Sequence, residues 1–200
     1  MNIEVKSSNG ISLVPIETRL LSRKRYIFIE DEITQESSCD FAKKLMLLVL
    51  EDKTKPIWLF INSPGGDVSA GLLIYDMIQS CTTPIITVCL GQALSMGAIL
   101  FASGKHGRIM LPNSELMLHQ PLLGNKVGGN VSSIKALSDS MLETRKKINE
   151  ILSKHTCQPL EEIEKATEYD HYFNADESIS FGLADKILGL AEIMEGNYEN

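Results

Sequence analysis

Ile85-Ile86-Thr87-Val88-Cys89-Leu90-Gly91-Gln92-Ala93-Leu94-Ser95-Met96-Gly97-Ala98 reads as a buried strand that turns abruptly into a helix. The run over 85–89 is almost continuously apolar, as expected of a strand covered on both faces. A helix starting at Ser95 leaves unpaired N–H groups in its first turn, and these can receive a negatively charged oxygen. The small neighbours Gly97 and Ala98 let another backbone come close to the hydroxyl. This is how a nucleophilic serine is presented. An ordinary small-residue helix start looks the same in isolation, so its company decides.

Two other stretches supply that company. Leu116-Met117-Leu118-His119-Gln120-Pro121 reads as a short apolar strand closed by His119, with Pro121 stopping its continuation. An imidazole at a strand end opens toward a cleft, and it is the side chain that exchanges a proton near neutral pH. A histidine at a core edge occupies such a place too. Upstream, the buried-strand run Ile57-Trp58-Leu59-Phe60-Ile61 leads into Asn62-Ser63-Pro64-Gly65-Gly66-Asp67. The glycines permit positive φ and close approach, so that their N–H groups can point into a site. A plain strand-to-helix loop also uses Pro-Gly-Gly; the combination of all three stretches is what carries weight.

A chain of 200 residues that is 44% apolar is long enough to bury one substantial core, and a single domain over 1–200 is expected. The formal charge of −7, with no basic stripe, argues against nucleic acid and anionic membrane as partners. No apolar run approaches spanning length and Met1-Asn2-Ile3-Glu4-Val5-Lys6 lacks a signal-peptide core, so a cytoplasmic location is expected. Cys39, Cys81, Cys89 and Cys157 have no metal-ligand spacing and read as reduced thiols. His155 and Cys157 lie two apart at a helix end and do not face each other.

Strand and helix signals alternate along the chain. Residues 1–17 read as a flexible hairpin or loop around Ser7-Ser8-Asn9-Gly10. Then follow a helix near 18–22, a strand at 26–29, a helix over 37–51, a strand at 57–61, a helix over 69–79, a strand at 85–89, a helix over 95–102, and strands at 108–111 and 115–119. This rhythm predicts an α/β layered fold with short connections. After the glycine-rich stretch 124–129, Asn130 can cap a long helix over 131–155 whose apolar stripe comprises Ile134, Leu137, Met141, Ile148 and Ile151/Leu152. A narrow stripe on so long a helix suits either lying on the core or projecting toward a partner helix.

The segments Ser63-Pro64-Gly65-Gly66, Gly91 to Ala98, and Leu111-Pro112-Asn113-Ser114 through His119-Gln120-Pro121 resemble the signature segments of the proteolytic subunit of the Clp protease, in the ClpP/crotonase superfamily. The resemblance continues through Glu168-Tyr169-Asp170-His171-Tyr172-Phe173 and Phe181-Gly182-Leu183-Ala184-Asp185, covering the chain from about Arg19 to Leu188. It implies a layered fold of repeated strand-strand-helix units, an axial N-terminal loop at 1–17 and a protruding handle, strand plus long helix, at about 122–155. It also implies a serine endopeptidase with Ser95 as nucleophile, His119 as general base and Asp170 as the residue that orients His119. By the same resemblance the N–H groups of Gly66 and Met96 are expected to form the oxyanion hole, and Gly65, Asp67, Val68, Leu122 and Leu123 to pair with the substrate backbone. Residue patterns alone do not select Asp170 among the many carboxylates. Two stacked heptameric rings, an AAA+ ATPase unfoldase and unfolded polypeptide substrates are the implied partners; no metal or organic cofactor is expected. Met46, Leu47, Trp58 and Phe60 match positions that in the family line the cleft for the unfoldase's loops, although core packing explains Trp58 equally well.

The chain departs from the family pattern at Leu94, where alanine is usual, at Tyr169, where an arginine that helps pair the rings is common, and over 11–17. Two other readings fit parts of the pattern. A crotonase-type acyl-CoA enzyme shares the fold and polarises a carbonyl with two backbone N–H groups, but does not need an aligned serine, histidine and aspartate. A non-catalytic ring subunit is expected to have lost one of those three residues, and all three are present.

Overall fold

The computed structural model describes residues 1–7, 10–124 and 128–195. The chain runs β1 (Asn2–Ser7), β2 (Gly10–Pro15), α1 (Ile16–Lys24), β3 (Tyr26–Glu30), α2 (Gln35–Glu51), β4 (Ile57–Ser63), α3 (Val68–Ser80), β5 (Ile85–Leu94), α4 (Met96–Ala102), β6 (Arg108–Met110) and β7 (Glu115–Leu118). It continues through α5 (Val131–Thr156), α6 (Leu160–Ala166), β8 (His171–Phe173), α7 (Ala175–Phe181), β9 (Lys186–Ile187) and α8 (Leu190–Glu195). β1 and β2 pair antiparallel as the expected hairpin, though Ser8 and Asn9 of its turn lie outside the described residues. No helix among the described residues is long and apolar enough to cross a membrane.

The result is a mixed α/β fold on a mostly parallel sheet of order β3-β4-β5-β6-β9, with β7 joining β5 and β8 joining β7. Alternation along β4 sends Ile57, Leu59 and Ile61 into the main core, against Phe41, Leu45 and Leu48 of α2 and Ile74 and Ile78 of α3. Trp58 and Phe60 point the other way, into a second cluster with Ile86, Val88, Ile109 and Ile193 of α8. Each fully buried side chain of this kind contributes about 2 kcal/mol. An exposed pair such as Lys44–Asp40 contributes at most about 1 kcal/mol, so the fold rests on its core.

β5 runs to Leu94, beyond the expected end at Cys89. Its pairing with β4 shifts between Ile61 and Ser63, and the Asn62 carboxamide oxygen accepts from the Gln92 N–H at 3.3 Å, mending the ladder where Gly91 loosens it. One edge of β5 therefore receives β6 along Thr87–Cys89 and then β7 along Gln92–Leu94. Within the main sheet the strand-strand-helix unit appears as β6-β7-α5, whereas β3-α2, β4-α3 and β5-α4 are single strands followed by helices.

The long helix lies on the core along part of its length only. Its C-terminal half is in the core, with Ile148 and Leu152 buried, while Val131, Ile134 and Leu142 nearer its start are exposed. The strand expected ahead of it is absent over 121–124 and 128–130, which pair with no strand among the described residues; 125–127 lie outside them. Asn130 caps α5 as expected, accepting from the Ser133 N–H. At the other end Arg108 donates to the carbonyls of His155 and Gly182 while its guanidinium pairs with Asp185, tying α5, α7 and β6 together.

His155, in the last turn of α5, has its Nε2 hydrogen-bonded to the Tyr75 hydroxyl at 3.1 Å. Burial, aided by Lys154 and Arg108, pushes its imidazole from 6.5 down to about 4. The unfolded chain therefore takes up a proton between these two values that the folded chain refuses, so stability falls as pH drops through that window. Thermal unfolding followed from about pH 7 to about pH 4.5 is expected to show a falling midpoint, and a shallower fall in His155→Gln. Equal slopes for the two proteins would refute this account.

Candidate active site

Ser95 sits between β5 and α4 with φ 54° and ψ −121°, a conformation that side-chain-bearing residues avoid. Such a backbone holds about 1–3 kcal/mol of strain and persists only where its surroundings enforce it. The enforcement is visible. The Ser95 N–H donates to the Met117 carbonyl at 2.8 Å, extending the β5–β7 ladder by one bond. Across the turn, Gly65 adopts φ +98°, and a Cβ there would lie 2.7 Å from the Leu94 carbonyl oxygen and 2.8 Å from the Ser95 Cβ. Glycine is the residue that fits.

His119 follows directly after β7, and its Nε2 lies 2.7 Å from the Ser95 Oγ. Its Nδ1 lies 3.1 Å from the Asp170 Oδ1. This second contact follows from register. β7 and β8 pair antiparallel with Leu116 opposite Phe173, Met117 opposite Tyr172 and Leu118 opposite His171, so the next positions are His119 and Asp170. Residues directly opposite in an antiparallel pair project to the same face with Cβ atoms about 5 Å apart. The imidazole is largely enclosed, whereas 59% of the Asp170 side chain is exposed.

A cavity of about 380 Å³ opens at this point, lined by Glu32, Pro64, Gly65, Gly66, Val68, Ser95, His119, Pro121 and Leu122. Gly66 bridges Ile33: the Ile33 N–H donates to the Gly65 carbonyl and the Asp67 N–H donates to the Ile33 carbonyl. That pattern uses Gly65 and Asp67 and leaves the Gly66 N–H outside the ladder. The Met96 N–H belongs to the first turn of α4, where helices leave donors unpaired.

A family model described as Clp protease matches residues 10–190. The chain belongs to the Clp protease family. It is a Clp-type peptidase domain, and the cavity with Ser95 and His119 is the candidate active site of that peptidase.

Of the residues expected to meet substrate in this Clp-type domain, Gly65, Val68 and Leu122 line the cavity, while Asp67 and Leu123 do not. The Asp67 carboxylate caps α3 by accepting from the Ala70 N–H, and its own N–H is committed to Ile33. Leu123 lines an adjoining groove of about 290 Å³ beside α5, with Ile134, Leu137 and Met141. Nor do Met46, Leu47, Trp58 and Phe60 form one surface within the chain. Met46 and Leu47 are exposed on α2, over one face of the sheet, whereas Trp58 and Phe60 are buried on the other. Glu32 was missed. Its place in the cavity depends on the Ile33–Gly66 bridge, which has no local sequence signal.

Among the cysteines, burial pushes the Cys89 thiol up to about 11, which keeps it protonated and unreactive. Gly65→Ala is expected to lower folding stability by more than about 1 kcal/mol, since it combines an unfavourable φ with a contact against backbone. Chemical denaturation compared with the parent protein measures this; an unchanged midpoint would mean that the turn relaxes freely.

Proposed function

We propose that this Clp-type peptidase is a serine endopeptidase in which Ser95, His119 and Asp170 act as a catalytic triad. The observation that carries the reading is the continuous relay Ser95 Oγ–His119 Nε2–Nδ1–Asp170, at 2.7 and 3.1 Å. With its proton on Nδ1 donated to Asp170, His119 accepts the Ser95 proton as Oγ attacks the peptide carbonyl, then returns it to the leaving amine. A water activated by the same imidazole releases the acyl group. The Gly66 and Met96 N–H groups are the proposed oxyanion donors, each worth about a hundredfold or more in rate. Gly65, Val68 and Leu122 border the substrate's path. A crotonase-type acyl-CoA enzyme or a non-catalytic ring subunit has no need of this relay, which favours the peptidase over both.

The family generally forms rings with AAA+ ATPases. We place this chain in two stacked heptameric rings in the cytoplasm, degrading unfolded polypeptide delivered by such an unfoldase. The exposed Val131, Ile134 and Leu142 on the projecting half of α5 suit the contact between rings, and the β1–β2 hairpin suits the axial loop. For docking the unfoldase, exposed Met46 and Leu47 on α2 are better placed than buried Trp58 and Phe60.

Two experiments test these assignments. A fluorophosphonate probe is expected to label Ser95, and Ser95→Ala or His119→Ala is expected to lose at least about a thousandfold in hydrolysis of a fluorogenic peptide. Appreciable cleavage by folded Ser95→Ala would remove the serine mechanism. Separately, Met46→Glu is expected to reduce unfoldase-driven degradation of a folded substrate severalfold more than it reduces short-peptide hydrolysis. Equal losses would place Met46 outside the docking surface.

A further inference from the structure

Asp170 has to hold the imidazole, yet its own carboxylate is more than half exposed and, among the described residues, its hydrogen bond is to His119 alone. Its position must therefore come from the backbone that carries it. On one side that backbone is fixed by the last paired position of the ladder, Leu118 opposite His171. On the other side, the same register sets Pro121 opposite Glu168. Because Met117 gives its carbonyl to Ser95, the β7 residues that bond to β8 are Leu116 and Leu118 and, in the same alternation, Gln120, so no backbone rung falls at the Pro121–Glu168 position. The Glu168 carbonyl instead takes a donor from the Gln120 side chain, whose Nε2 lies 2.9 Å away.

We propose that Gln120 is a positioning residue whose carboxamide ties down the Glu168 carbonyl where the ladder supplies no backbone rung. It clamps the segment entering Asp170 against the extension of β7 and keeps the carboxylate opposite His119. The His119–Asp170 pair is thus bracketed, by backbone pairing at Leu118–His171 and by the Gln120–Glu168 bond. Gln120 does not itself line the cavity; it acts through Asp170. The inference rests on the serine-peptidase reading, because a held carboxylate matters to rate only if it orients the imidazole.

The test is steady-state hydrolysis of a fluorogenic peptide by the full chain and its Gln120→Met, Gln120→Lys and Asp170→Asn variants. Methionine keeps the length of glutamine without a donor, whereas the lysine ammonium can still donate to a carbonyl. Gln120→Met is expected to lose about tenfold in kcat with KM within about twofold and an unchanged unfolding midpoint, a split that identifies loss of transition-state geometry. Gln120→Lys is expected to recover most of that loss. On the residual rate of Asp170→Asn, adding Gln120→Met is expected to cost less than about twofold, because residues acting through one another are non-additive. A parental kcat in Gln120→Met, a lysine variant as impaired as the methionine one, or an equal penalty in the Asp170→Asn background would each overturn the clamp. Fluorophosphonate labelling of Ser95 in the same preparations separates the two failures. Labelled, active protein with an indifferent Gln120 removes only the clamp; unlabelled, inactive parent protein removes the peptidase reading itself.

Discussion

Strand β7 hydrogen-bonds along both edges, parallel to β5 and antiparallel to β8, and the geometry of the site descends from this double pairing. Its Met117 carbonyl receives the Ser95 N–H, which sets where Ser95 stands. Two residues later the same strand delivers His119, and its register with β8 sets Asp170 opposite. Three residues far apart in sequence are thereby referred to one short element. A shift of one position in either ladder would turn His119 or Asp170 to the other face of the sheet.

β7 can occupy that place because β5 bends. Past Cys89 the β4–β5 ladder slips, Asn62 fills the gap with its side chain, and the remainder of β5 swings to meet β7 instead of β6. The bend brings the end of β5 beneath the end of β4, where Gly65 and Gly66 lie against Leu94, Ser95 and Ile33. Without Cβ atoms the two loops approach closely enough to hold Ser95 at φ 54° and to leave the Gly66 N–H outside any ladder. Glycine at these positions is the condition for the strained serine, not a consequence of loop flexibility.

Much of this was legible locally. The apolar runs at 57–61 and 85–89, the serine between small residues and the histidine before proline all have short-range causes, and the structure brings Ser95 and His119 within hydrogen-bond distance. What was illegible has long-range causes. β5 was expected to end at Cys89, where the apolar run ends; beyond it the Gln92 N–H is met by the Asn62 side chain from another strand. Asp170 came only from the family resemblance, since β8 spans three residues with two of them exposed and gives almost no periodicity to read. That Trp58 and Phe60 lie on a different face from Met46 and Leu47 was illegible for a similar reason. Strand alternation sends the aromatic pair to the sheet face opposite α2, and which face a helix covers is a matter of topology.

The two halves of the candidate site are held with unequal firmness. Around Ser95 the restraints are backbone contacts inside the core, with α4 wholly buried, so displacement there disturbs tertiary packing. Around Asp170 they are a three-residue strand and exposed hydrogen bonds, flanked by Tyr169 and Tyr172, both open to solvent. A hydrogen bond in such a setting contributes about 1 kcal/mol or less to folding. The same bond can govern orientation of a relay whose efficiency depends on sub-ångström alignment. Substitutions near Ser95 therefore report on fold and function together, while those near Asp170 separate them. On the proposed mechanism, the exposed side of the relay is where rate can be altered without cost to the core, and the length and pairing of β8 put it there.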